Sequence, residues 1–182
     1  MASKTSAPAG PIDWLMLSNA RAAFTPERPR LPGQEHPGLA IGWRVLALLF
    51  RVVERLKLDT LVTVAEYLHN AELYARELPF LDPVHAGRLD SIVDALRVRE
   101  KLTVAQASWA VEWGLVREET GQVLHWRGEA QLSVDEPSLA AWVASPAYVD
   151  ASAQARRAKV SLDRVAFDAR WASERASIEG RT

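Results

Sequence analysis

Glu66 and His69 are the first residues whose types and spacing suggest chemistry. They form an E-x-x-H pair on a stretch of helical composition, which puts a carboxylate and an imidazole on one face, as in carboxylate-bridged iron sites. Such a site needs a second pair and two further glutamates. The other histidines, His36, His85 and His125, stand in no matching motif, so a helix-surface histidine and no metal centre is the expectation. The chain has no cysteine, which excludes disulfides, thiolate zinc sites and cysteine nucleophiles from its own residues. Neither a G-x-S-x-G nucleophile turn nor a Walker loop is present. Arg97, Arg99, Lys101, Arg117 and Arg127 could meet phosphates around a helix and hairpin of winged-helix type. Glu112, Glu118, Glu119 and Glu129 lie among them, the local charge nearly cancels, and nucleic acid is not the expected partner.

A second constellation begins with Gly38-Leu39-Ala40-Ile41-Gly42. An amphipathic helix follows, then Leu61-Val62-Thr63-Val64, then a segment carrying Asn70 and Tyr74. Over residues 38–80 this order resembles the cofactor-binding half of the GNAT acyltransferases. The resemblance implies that Gly38, Ala40, Ile41 and Gly42 form a loop whose backbone donors meet the pyrophosphate of acetyl-CoA at a helix N-terminus, the usual place for an anion. It further implies that Asn70 contacts the cofactor and that Tyr74 can protonate the departing thiolate. Pro37 stands where the family's loop opens on Arg or Gln, and Ala40 where it has a glycine.

The elements that would position these residues follow from periodicity and capping. Gly42 to Lys57 reads as a helix with Val45, Leu49, Val52 and Leu56 at helical spacing, Leu46 and Val53 beside them, and Arg44, Arg51, Glu54 and Arg55 on the wet side. Leu61 to Val64 is β-branched and reads as a short buried strand or as the approach to a helix starting near Thr63. Glu66 to Leu78 reads as a helix stopped by Pro79, burying Leu68, Leu73 and Tyr74. Asp82-Pro83 is a cap followed by an N1 proline, opening a helix with Leu89, Ile92, Val93 and Leu96 inward. Thr103 caps a further helix, which puts Trp109 and Trp113 one turn apart and ends at Gly114. Around Thr120-Gly121 a small hairpin is expected, and Pro137 and Pro146 bracket a short helix.

Trp14 to Ala23 reads as a short helix, and Thr25 to Pro37, with four prolines, as an extended loop. Residues 149–179 read as one long helix with a thin apolar seam of Val149, Ala153, Val160, Phe167, Trp171 and Ile178 on an otherwise polar rod. Seven tryptophans are spread over nearly every element, as core anchors whose indole N–H needs an acceptor.

At 182 residues, 48% hydrophobic and 25% charged, the chain has the composition of one globular domain. Its formal net charge of −1 points to neither nucleic acid nor an anionic membrane. Without a long apolar run the expectation is a cytoplasmic protein with no membrane contact. The expected architecture is mainly α, a helical domain with a small β-hairpin, the short strand near 61–64 if it forms, and a long C-terminal helix. It divides into a flexible tail (1–11), a globular helical domain (12–147), and a C-terminal helix and tail (148–182). The leading functional expectation is a noncatalytic interaction or scaffold subunit without cofactor. It would dock a protein partner or a second copy through Val160, Phe167, Trp171 and Ile178. The alternative is a shortened or divergent acyl-CoA-binding protein of the acyltransferase type, with Tyr74 as its acid.

Overall fold

Helix starts in this chain are built by side chains that accept the otherwise unused amide N–H groups of a first turn. In the computed structural model, which describes residues 9–12 and 17–181, five of the starts show this chemistry, among them α5 (Pro137–Val143), where the Glu136 carboxylate accepts from the Ser138 and Leu139 N–H groups. The Asp82 carboxylate accepts from the Val84 N–H at 2.8 Å and opens α3 (Pro83–Val93). Thr103 and Gln106 close a reciprocal capping box at the start of α4 (Val104–Glu112). Ser145 opens α6 (Pro146–Arg156) and Asp163 opens α7 (Arg164–Ile178). The other helices are α1 (Gly42–Leu56) and α2 (Leu68–Tyr74). α3 continues into a π-helical turn, Asp94–Arg99. The molecule is mainly α-helical and ends on a C-terminal helix.

Five short strands complete it. β1 (Ala9–Ile12) pairs in parallel with β2 (Thr60–Val64), and β2 pairs antiparallel with β4 (Ala130–Leu132), so β2 is the centre of a three-stranded sheet. β3 (Val116–Glu118) pairs antiparallel with β5 (Val160–Leu162). The expected turn at Gly121 is present, with φ of 81° and a bridge between Arg117 and Val123, but the main partner of β3 comes from more than 40 residues away.

Three expectations need correction. Within the expected tail, residues 9–12 form an edge strand, a position that tolerates Pro11 because its missing N–H is not needed there. The expected helix from Trp14 to Ala23 is not helical from Leu17 onward, and residues 13–16 lie outside the described residues. The Leu39 N–H donates to the Leu17 carbonyl, and the Asn19 N–H to that of Pro37, so this stretch is tied to the loop. The single helix over 149–179 is two helices separated by β5. Residues 157–159 break it, and the Val160 backbone joins β3.

The main core gathers Phe80, Ile92, Leu96, Leu124, Val160 and Phe167, so the C-terminal segment shares one core with the rest of the chain. α3 and α6 meet at Gly87, where a Cβ would lie 2.1 Å from the Ser152 carbonyl oxygen, so only glycine allows this approach. A second, smaller core of Leu46, Val53, Leu61 and Leu78 lies between α1 and β2, and Tyr74 touches both cores. No helix among the described residues is long and apolar enough to cross a membrane.

Candidate functional site

A cavity of about 600 Å³ lies among α1, β2 and α2. The first turn of α1 supplies one wall through Gly42, Trp43 and Leu46. Thr63 and Val64 of β2 form the floor, and Glu66, Tyr67, His69, Asn70 and Tyr74 the opposite wall. The turn from Pro32 to His36 closes one side. Gly33, with φ of 77°, presses its backbone so closely against the Tyr67 ring that a Cβ would lie 2.5 Å from it.

His69 is 8% exposed, and its ring stacks on Tyr67 with centroids 5.6 Å apart and planes 16° from parallel. Its Nδ1 has no hydrogen-bond partner among the described residues. Burial disfavours the imidazolium and lowers the pKa to about 4, so the ring is neutral at pH 7. The half-buried Tyr74 is shifted upward for the same reason, which keeps its hydroxyl protonated. α2 is held from behind by Gln131 of β4, a fully buried amide donating to the carbonyls of Ala71 and Leu78, each at 3.2 Å.

The start of α1 differs from the capped starts above. Ile41 gives no side-chain cap, and no acidic residue stands in the first turn. The Arg44 and Val45 N–H groups return to the Ile41 carbonyl, while Gly42 and Trp43 border the cavity with amides that have no backbone acceptor among the described residues. Nothing lies within 4 Å of where a Gly42 Cβ would be. Ala40 has φ of 56°, the left-handed region that favours glycine. The residue type at this position departs from the family's glycine, whereas its backbone takes the conformation a glycine would.

Of the residues assigned by resemblance, Ala40, Gly42, Asn70 and Tyr74 meet on this cavity. Gly38 faces a second cavity instead and accepts a hydrogen bond from the Arg28 guanidinium at its carbonyl, and Ile41 borders neither. The E-x-x-H pair divides, with Glu66 exposed and His69 buried. Among the described residues no three acidic or histidine side chains group to hold a metal. His69 as a neutral cavity residue escaped the sequence reading. Its spacing with Glu66 was visible, but its stacking on Tyr67 and its burial depend on contacts no local pattern encodes.

The expected docking seam is covered by its own chain. Val160, Phe167 and Ile178 are buried, and Trp171 is half-buried. Phe167 and Trp171 stack at 6.0 Å, and Trp113 lies 6.2 and 6.3 Å from them. The proline-rich loop straps this end down. The Arg30 N–H donates to the Ile178 carbonyl at 2.8 Å, and the Trp109 indole donates to the Arg30 carbonyl at 2.8 Å. Trp171 borders the second cavity, of about 750 Å³, beneath Phe24, Pro26 and Pro29.

Around the winged-helix-like segment, Arg97 faces Glu72 at 3.4 Å, Arg88 pairs with Glu118, and Lys159 lies 3.6 Å from Glu119. Compared with protein-family models, with curated proteins and with solved structures, the chain matches none.

Proposed function

We propose that this chain binds an acyl thioester of the coenzyme A type in the cavity among α1, β2 and α2. The observation that carries the reading is the meeting of Gly42, Asn70 and Tyr74 on one cavity, three residues that a resemblance in sequence order had assigned to one cofactor. A second support is that β2 is the central strand of a sheet with α1 and α2 on either side of it in the chain.

The residues present fit such a ligand. The uncapped first turn of α1 offers amide donors and the positive end of a helix dipole to a phosphate. The interior, with Leu46, Leu49 and Leu73 beside Asn70 and Thr63, suits an amide-bearing aliphatic arm. When bound, the thioester supplies an acyl carbon activated toward attack. The chain's own contribution is positional. Asn70 offers an amide to the arm, His69 presents a neutral ring nitrogen without a partner among the described residues, and Tyr74 holds a proton on Oη where the resemblance assigns the proton for a departing thiolate.

Calorimetric titration with acetyl-CoA tests this. Saturable binding that is lost in Gly42→Asp, which sets a carboxylate at the helix start, is the expected result. No heat of binding at millimolar acetyl-CoA overturns the reading.

A further inference from the structure

The outer face of α1 carries two ridges. Leu48, Val52 and Leu56 recur at every fourth residue, and they are 59%, 41% and 63% exposed. Beside them, Arg44, Arg51 and Arg55 occupy the same helix face across about 16 Å of rise. All three arginines are exposed, and none forms an ion pair or side-chain hydrogen bond with a described residue. Elsewhere on the molecule several exposed arginines are paired, as Arg156 is with Asp94 at 2.8 Å and Arg164 with Asp168 at 3.0 Å. Glu54 is the one acid of α1. In a chain of net charge −1, this is a local excess of cations set along an aliphatic stripe.

Charge decides the occupant. A second copy packed symmetrically would set arginine ridge against arginine ridge, so self-association through this face is disfavoured. An acidic helix with its own apolar stripe matches both ridges. The cavity narrows the choice further. Its lining includes the carboxylates of Glu35 and Glu66 and no lysine or arginine, so it suits a neutral pantetheine-like arm with its phosphate left at the mouth. The exposed Gly42 and Trp43 of the first turn of α1 line the cavity where the arginine ridge begins at Arg44.

We propose that the outer face of α1 docks an acidic carrier domain whose phosphopantetheine arm delivers the acyl thioester into the cavity. The proposal rests on the acyl-thioester reading and adds the source of the thioester. Leu48, Val52 and Leu56 pack on an apolar stripe of the carrier's helix, Arg44, Arg51 and Arg55 meet its carboxylates, and the phosphate at the root of the arm meets the amides of Gly42 and Trp43.

The test titrates the full chain with a bacterial acyl carrier protein in apo and acetylated holo forms, and separately with acetyl-CoA. The acetylated carrier should bind at least about tenfold more tightly than acetyl-CoA, with an affinity that falls steeply with salt. Arg51→Glu with Arg55→Glu should weaken the carrier by at least about tenfold and leave the acetyl-CoA titration unchanged, since neither residue borders the cavity. Circular dichroism on the double variant confirms that it is folded.

Binding of acetyl-CoA without binding of the carrier overturns this proposal and spares the cavity reading. Carrier binding indifferent to the double substitution overturns it, as does equal binding of the apo and acetylated forms. Binding instead to vesicles containing anionic phospholipid, lost in the double variant, would assign the face to a lipid surface and likewise overturn it. Silence of both acetyl-CoA and carrier removes both readings together.

Discussion

α1 and α7 are both 15 residues long and both amphipathic, yet their fates invert what their patterns suggest. α1 has a wide apolar face, the mark of a central buried helix, and it buries only Leu46 and Val53 while exposing Leu48, Val52 and Leu56. α7 has a thin seam on a polar rod, the mark of a helix awaiting a partner, and its Phe167 and Ile178 are buried. The difference lies in what each helix lies against. α1 meets a sheet of three short strands, which covers one side only. α7 meets Trp113 of the α4 end and is held at its own end by the Arg30 backbone, so a narrow stripe is enough. The width of an apolar face reports what a helix could bury, and the neighbours decide what it does bury.

The sharpest way to break this comparison is to truncate one side chain on each helix. Phe167→Ala, which empties a site 1% exposed, should cost about 3–5 kcal/mol in urea unfolding, whereas Leu48→Ala should change stability by less than about 0.5 kcal/mol. Similar values for the two would mean that the two helices are equally covered.

The cavity side can be read through pH. His69 in the folded chain has a pKa of about 4, below its ordinary value of 6.5, so between these values the unfolded chain binds the extra proton. Stability from this group is complete above pH 6.5, falls as pH drops through the window, and is gone below pH 4, an effect on the order of 3 kcal/mol. His69→Leu should flatten the dependence of the urea midpoint over that window. An unchanged slope would place the titrating group elsewhere.

The smallest effect concerns the loop that opens α1. Ala40→Gly relieves a left-handed backbone and should raise stability by about 1 kcal/mol, visible as a higher melting temperature. Destabilisation would show that the methyl group makes contacts worth more than the strain.

Much of the helical framework was legible. Asp82-Pro83, Thr103 and Pro137 mark helix starts through chemistry confined to a few neighbouring residues, and the structure has helices at each, whereas Pro146, read as closing the short helix, opens α6. The strands were less so. β4 lies in the polar stretch around Gln131, whose fully buried amide donates to the Ala71 carbonyl of a helix 60 residues away. β5 interrupts a pattern that locally favours continued helix, because Val160 to Leu162 gain a ladder with Val116 to Glu118. Of the cavity, Gly42, Asn70 and Tyr74 were found by residue order, whereas Tyr67, His69 and the Pro32–His36 turn were not, since their meeting is set by stacking and closure across the chain.

Local chemistry was enough to mark the starts of several helices, a mainly α fold and the lack of thiol chemistry, because capping, periodicity and composition act over a turn or two of backbone. Which apolar stripe is sheltered, that His69 is buried and neutral, and which arginines lack a carboxylate among the described residues were settled only by the folded chain. Burial and desolvation depend on whatever lies across the gap, and that neighbour is distant in the chain.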